Sequence, residues 1–207
     1  MSDKKLIGIL VRHGDTDAND ANQFRSRLDP PLNAKGIQQA EIIAEAIVNS
    51  GLKIEKIIVS PLLRAVQTGE ILAEYLGLEI EQDRGLISWS LGFLGGKDRD
   101  EYDELLKYYI DHPKSIPPQG ECLDDLEQRT FDFFSKTLKG DKLTAYITHN
   151  SNAVVIEDLI RGAKEGRPES SEKSVDPGGA IGIFVDSGGK YSTDVLFGHE
   201  KEAEFGS

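Results

Sequence analysis

Leu10-Val11-Arg12-His13-Gly14-Asp15-Thr16 carries an apolar strand straight into an arginine-histidine-glycine turn. A buried strand that ends this way delivers one guanidinium and one imidazole to its exit, and the glycine leaves room for a close approach. Arginine's planar fork of donors matches phosphate oxygens. Histidine beside it can serve as nucleophile, base or metal ligand. Alone the tripeptide is a common surface turn; what gives it meaning is whether other strands send matching residues to the same edge.

Outward from this stretch, strand-like runs alternate with helical spacing. Lys5–Val11 reads as a strand, and Ala34–Asn49 places Ile37, Ala40, Ile43, Ala44, Ile47 and Val48 at helical intervals before Gly51. Lys56–Val59 is a second strand, followed by Leu62–Leu76 with Leu62, Ala65, Val66, Leu72, Ala73 and Leu76 on one face. Asp100–Ile110 and Glu121–Leu138 are further helices, the latter with Leu123, Leu126, Phe131, Phe134 and Leu138 inward and Asp124-Asp125 near its positive end. Leu143–Thr148 is a strand and Ala153–Ile160 a helix. Gly179–Val185 and Tyr191–Phe197 form a late pair turned at Asp186-Ser187-Gly188-Gly189. This alternation predicts a three-layer α/β/α sandwich around a mainly parallel sheet with an antiparallel edge. One domain is expected over residues 1–203, with Glu204–Ser207 set aside as a candidate cloning remnant. The polar stretch 165–178, with two prolines, is expected to be a mobile loop.

Ligands of open α/β sheets bind outside the carboxyl ends of the strands. The first strand exits at Arg12-His13, the second at Ser60-Pro61 with Arg64 in the following helix, and a later one at Thr148-His149-Asn150. Taken singly, Arg64 reads as a solvated helix residue and His149 as a satisfied core histidine. A zinc site from His13 and His149 is the other option; neighbouring arginines would repel the cation, and no cysteine or obvious carboxylate completes the set. Two arginines converging on two histidines instead describe a trap for a tetrahedral dianion.

The bulk composition agrees. A formal charge of −12, from 24 Lys+Arg against 36 Asp+Glu, argues against nucleic acid as partner. It leaves a small phosphorylated substrate or a phosphoprotein open, because screening over about 8 Å isolates a cationic cleft from a distant acidic surface. No apolar run approaches the ~20 residues that span a bilayer, so no membrane association and a cytoplasmic location are expected. The single cysteine, Cys122, excludes an internal disulfide.

Together the blocks resemble a known family. Val11-Arg12-His13-Gly14-Asp15-Thr16-Asp17-Ala18-Asn19 is similar to the signature of the histidine phosphatase superfamily, also called phosphoglycerate-mutase-like. Asp29-Pro30-Pro31-Leu32-Asn33-Ala34-Lys35-Gly36, Ser60-Pro61-Leu62-Leu63-Arg64, Pro118-Gln119-Gly120-Glu121 and Thr148-His149-Asn150 resemble its later blocks in order and spacing. The resemblance implies that His13 attacks phosphorus and becomes a transient phosphohistidine. Arg12, Arg64 and His149 would hold the phosphoryl oxygens, with a further hydrogen bond from Asn19 and no metal or other cofactor. His13 must attack as neutral imidazole, its other nitrogen donating to a fixed acceptor such as a carbonyl near Gly14.

One position departs from the pattern. Ester-cleaving members carry a glutamate that protonates the leaving alkoxide, where this chain reads Leu86-Ile87-Ser88-Trp89-Ser90-Leu91-Gly92. Ser88 occupies the acid position, and a general acid is worth about 10²–10⁴-fold. Glu121, Asp15 and Asp83 are candidate substitute donors. Otherwise the substrate needs no acid (a phosphohistidine, acyl phosphate or pyrophosphate), or the chain binds phosphorylated ligands or proteins without turnover. A phosphatase with altered acid catalysis is expected ahead of a binding module, and both ahead of a phosphoglycerate mutase. Specificity is expected in residues 85–120 and 162–178, with Trp89, Phe93, Tyr102, Tyr108 and Tyr109 as core or lid. Tyr191–Phe197 is a candidate edge for a homodimer.

Overall fold

Strand alternation sorts the apolar residues onto the two faces of one sheet. The computed structural model describes residues 4–161 and 175–198. Six strands, β1 (Lys5–Arg12), β2 (Lys56–Val59), β3 (Ile80–Gln82), β4 (Thr144–Thr148), β5 (Ala180–Val185) and β6 (Tyr191–Phe197), lie in the order β3-β2-β4-β1-β5-β6. The first four run parallel, and β5 and β6 add an antiparallel edge. Helices α1 (Asp17–Asp20), α2 (Ala34–Asn49), α3 (Leu63–Leu76), α4 (Arg99–Asp111), α5 (Leu123–Thr137) and α6 (Asn150–Arg161) connect them.

Because successive side chains alternate in direction, Ile9, Val11, Ile57, Val59, Ala145 and Ile147 meet Ile43 and Ile47 of α2 and Ala65 and Leu72 of α3. Leu10, Ile58 and Tyr146 face the other way, onto Phe133 and Phe134 of α5 and Ala153 and Ile156 of α6. The α/β sandwich expected from the sequence is the fold. A third apolar cluster joins Phe24, Trp89, Leu91, Leu94, Tyr109, Leu123, Leu126 and Val155. Of the aromatic residues in 85–120, Trp89 and Tyr109 are core, Phe93 and Tyr102 pack against it, and Tyr108 is exposed.

Two local expectations are corrected, and the structure adds one strand. Phe131 is 51% exposed and Phe133 is buried in its place. The stripe of α5 runs through Leu123, Leu126, Thr130, Phe133 and Phe134, and Phe131 lies about 100° from Thr130 along a 3.6-residue turn. Helix α6 begins at Asn150 rather than Ala153, since the His149 carbonyl already accepts from Asn152 N and Ala153 N at 3.1 Å. Strand β3 has no apolar signature because it is three residues long and pairs with β2 alone. Most of the polar 165–178 stretch, and Glu204–Ser207, fall outside the described residues. Among the described residues no helix is long and apolar enough to cross a membrane.

The glycine of the opening turn has a packing role. A Cβ on Gly14 would lie 2.2 Å from the Gly36 carbonyl oxygen, and one on Gly36 would lie 2.0 Å from the Asp15 oxygen. What approaches Gly14 is thus the first turn of α2, held there by Asn33, whose side chain accepts from Gly36 N at 2.8 Å. Substituting Gly36→Ala forces backbone apart and should lower unfolding stability by about 1–3 kcal/mol, the usual range for overpacking. Urea denaturation reads this directly, and an unchanged midpoint would contradict the contact.

Candidate active site

The parallel strands end at one edge and bring their exits together. His13 follows β1, where its N–H donates to Thr148 O at 3.1 Å. His149 follows β4, Ser60 follows β2, and Arg64 sits in the first turn of α3. The two imidazoles stand 5.1 Å apart between centroids, inclined at 60°. Both are buried.

His13 has a defined hydrogen-bond frame. Its Nδ1 lies 2.7 Å from Gly14 O, and its Nε2 accepts from Arg64 Nε at 3.1 Å. A carbonyl only accepts, so Nδ1 carries the proton and Nε2 the lone pair. Burial, then the Arg64 and Arg12 charges, hold the imidazole well below its ordinary pKa. His149 is depressed likewise by burial, Arg64, His13 and Arg25. Its Nε2 lies 2.7 Å from Ser60 Oγ, and its buried Nδ1 has no partner among the described residues. Ser60 Oγ also accepts from Leu62 N at 3.4 Å.

Arg64 is a buried cation, only 1% exposed. Nη1 donates to Leu28 O at 2.7 Å and Nη2 to Ser26 O at 3.1 Å. Burial and the nearby Arg25 lower its pKa to about 10. Arg12 is also buried, at 9% exposed, and its pKa is lowered to about 10 by burial and Arg25. Its Nη1 donates to Val175 O, and its Nε has no partner among the described residues.

A cavity of about 180 Å³ opens on these groups, lined by His13, Arg64, His149 and Ser88. Arg12 and Asn19 are not part of its lining; Asn19 Oδ1 accepts from Thr16 N at 3.2 Å and Thr16 Oγ1 at 2.8 Å, capping α1. None of the three candidate acids lines it either. Glu121 is clamped by Arg27 at 2.7 Å and Arg129 at 2.8 Å, and accepts from Ser90 N. Asp15 is paired with Lys35 at 2.7 Å and bonded by Gln39 at 3.1 Å. Asp83 caps a turn through Gly85 N and borders a separate depression with Arg129 and Asp132. Each has structural partners, which sequence proximity to a motif does not reveal.

Residues that the sequence did not single out complete the wall: Arg25, Arg99, Glu127 and Asp158. Arg25 lies between two matched blocks, and its position inside that segment is the only signal that would have found it. Among the described residues no group of three or more His, Cys, Asp or Glu is gathered for a metal.

The family model described as histidine phosphatase superfamily (branch 1) matches residues 9–175. The chain belongs to the histidine phosphatase superfamily. A phosphoglycerate mutase of Schizosaccharomyces pombe is 29% identical over 203 residues, spanning 91% of this chain and 94% of its own. A 2,3-bisphosphoglycerate-dependent phosphoglycerate mutase of Parvibaculum lavamentivorans is 30% identical over 173 residues, with 76% and 81% covered. The fold matches that of a mycobacterial glucosyl-3-phosphoglycerate phosphatase complexed with VO3, at TM-score 0.78 and 19% identity, covering 91% of this chain and 96% of that one.

The depressed histidines set a pH dependence. Below the ordinary value of 6.5 the unfolded chain binds protons at His13 and His149 that the folded chain refuses. Their contribution is therefore full above that value and is lost as pH falls. His149→Gln removes one such site, so its urea midpoint should fall less than wild type's between about pH 7 and about pH 5. Equal losses would contradict the assigned shift.

Proposed function

We propose that the chain is a phosphatase working through a phosphohistidine on His13, without a metal, on a small phosphorylated molecule or a phosphoprotein side chain. The observation that carries this is the tautomer of His13: Nδ1–H bound to Gly14 O leaves the Nε2 lone pair beside Arg64 at the cavity. That nitrogen attacks phosphorus, the bond to the leaving group breaks, and water later cleaves the phosphorus–nitrogen bond. Arg64 and Arg12, together with the His149 imidazole, supply positive or donor groups where charge gathers on the equatorial oxygens. Asn19 is the further donor that the family resemblance suggests. A phosphoryl oxygen entering between Arg64 and His13 takes over the Arg64 donor and frees the lone pair.

Ser88 stands in the position of the proton donor. It lines the cavity, its Oγ 3.4 Å from Ser151 Oγ. A serine hydroxyl does not acidify a departing alkoxide, so leaving groups that depart unprotonated are favoured. The relatives named as mutases support a second reading, phosphoryl return to another hydroxyl. Formation of 2-phosphoglycerate from 3-phosphoglycerate tests it.

With 4-nitrophenyl phosphate the wild type should show a burst of nitrophenol and an acid-labile phosphoenzyme, both absent in His13→Gln. No burst, combined with thermal protection by phosphate, would make the site a binding module instead. Ser88→Glu should raise turnover of alkyl phosphates by about 10²-fold or more, and an unchanged rate would remove Ser88 from the acid position.

A further inference from the structure

Transfer to His13 leaves two cavity arginines without a task. Arg25 and Arg99 line the same cavity, each half-buried. They come from separate segments that pair as an antiparallel bridge, Gln23 with Asp98. Phe24 N donates to Lys97 O at 3.0 Å, Gly96 N to Phe24 O at 2.8 Å and Arg99 N to Asn22 O at 2.9 Å. The Arg99 guanidinium lies 5.2 Å from the centroid of the Phe24 ring. Neighbouring Arg27 has its carboxylate, Glu121, at 2.7 Å.

Holding these cations together is unfavourable in the free protein. Burial and the Arg99 charge push the Arg25 pKa down to about 10. An anion placed between them reverses that repulsion, and arginine forks suit phosphate oxygens. The cavity also has an apolar wall, from Leu106 and Ile110 of α4 and Val155 of α6. The lining also holds two carboxylates, Glu127 of α5 and Asp158 of α6. Ser88, in the same lining, offers no proton to a basic leaving group.

Resting on the phosphohistidine reading above, we infer that the substrate is an organic diphosphate, its terminal phosphoryl taken by His13 and its internal phosphate held by Arg25 and Arg99 with an apolar organic group on the α4 side. In the first step Nε2 of His13 bonds to the terminal phosphorus. The bond from that phosphorus to the bridging oxygen breaks, and its electron pair stays on the oxygen, which departs as part of a phosphomonoester. Water then bonds to phosphorus, the phosphorus–nitrogen pair returns to Nε2, and orthophosphate and a proton leave. A phosphomonoester has its second pKa at about 6, against about 15.7 for bulk water. The leaving group thus departs without an acid, which accounts for serine at position 88. Arg25 and Arg99 act on this group by binding it.

The test compares benzyl diphosphate, benzyl phosphate and 4-nitrophenyl phosphate on wild type, Arg25→Gln and the double variant Arg25→Gln/Arg99→Gln. Wild type should release orthophosphate from benzyl diphosphate with a kcat/KM about 10²-fold or more above benzyl phosphate, the margin a missing acid imposes. Benzyl phosphate should accumulate. Each arginine removed should lower kcat/KM on the diphosphate by about 10–100-fold, several times more than on 4-nitrophenyl phosphate. Because the arginines repel each other, Tm of the variants should not fall. Equal losses on both substrates, or benzyl phosphate turned over as well as the diphosphate, would overturn the inference while leaving the phosphohistidine reading intact. Absence of a phosphoenzyme from 4-nitrophenyl phosphate would overturn both.

Discussion

A buried guanidinium organises this molecule. Among the described residues no carboxylate is bonded to Arg64; two backbone carbonyls, Ser26 O and Leu28 O, and the imidazole of His13 take its donors. Burying a cation is costly unless its donors are met, so the segment around residues 26–28 must fold over the start of α3. That places the bridge of residues 22–24 with 97–99 beside the cavity. Burial first, and the Arg64 charge second, hold the pKa values of His13 and His149 down. A carboxylate in the place of those carbonyls would satisfy Arg64 as well and would cancel the field that a phosphoryl group needs.

The fold was legible because the parallel sheet is buried on both faces. Lys56–Val59 and Tyr191–Phe197 coincide with their strands, and Ala34–Asn49 with its helix, since apolar period and glycine stops act within a few residues. His13, Arg64 and His149 were legible for a related reason: strand exits in a parallel sheet share an edge, so short motifs far apart in sequence are near in space. The carbonyl near Gly14 expected to fix the His13 tautomer is that of Gly14 itself.

The parts that were not legible depend on pairing between segments. Glu121, Asp15 and Asp83 sit near matched blocks, yet each is committed to an arginine, a lysine or a turn. Arg25 and Arg27 are two residues apart and chemically identical, but one faces the cavity and the other pairs with Glu121. Between them Ser26 takes a left-handed backbone, φ 50°, that turns the chain. The space that Gly14 leaves is filled by the backbone of α2, so a glycine read as an opening for a ligand is a packing contact.

The central claim is that Nε2 of His13 takes the phosphoryl group while Nδ1 stays bound to Gly14 O. Phosphorus NMR of the enzyme quenched in alkali after reaction with 4-nitrophenyl phosphate, combined with peptide mapping, locates the phosphorus by ring nitrogen. The account predicts a single phosphohistidine at position 13, substituted on Nε2. Phosphorus on Nδ1, or on any other residue, would contradict it.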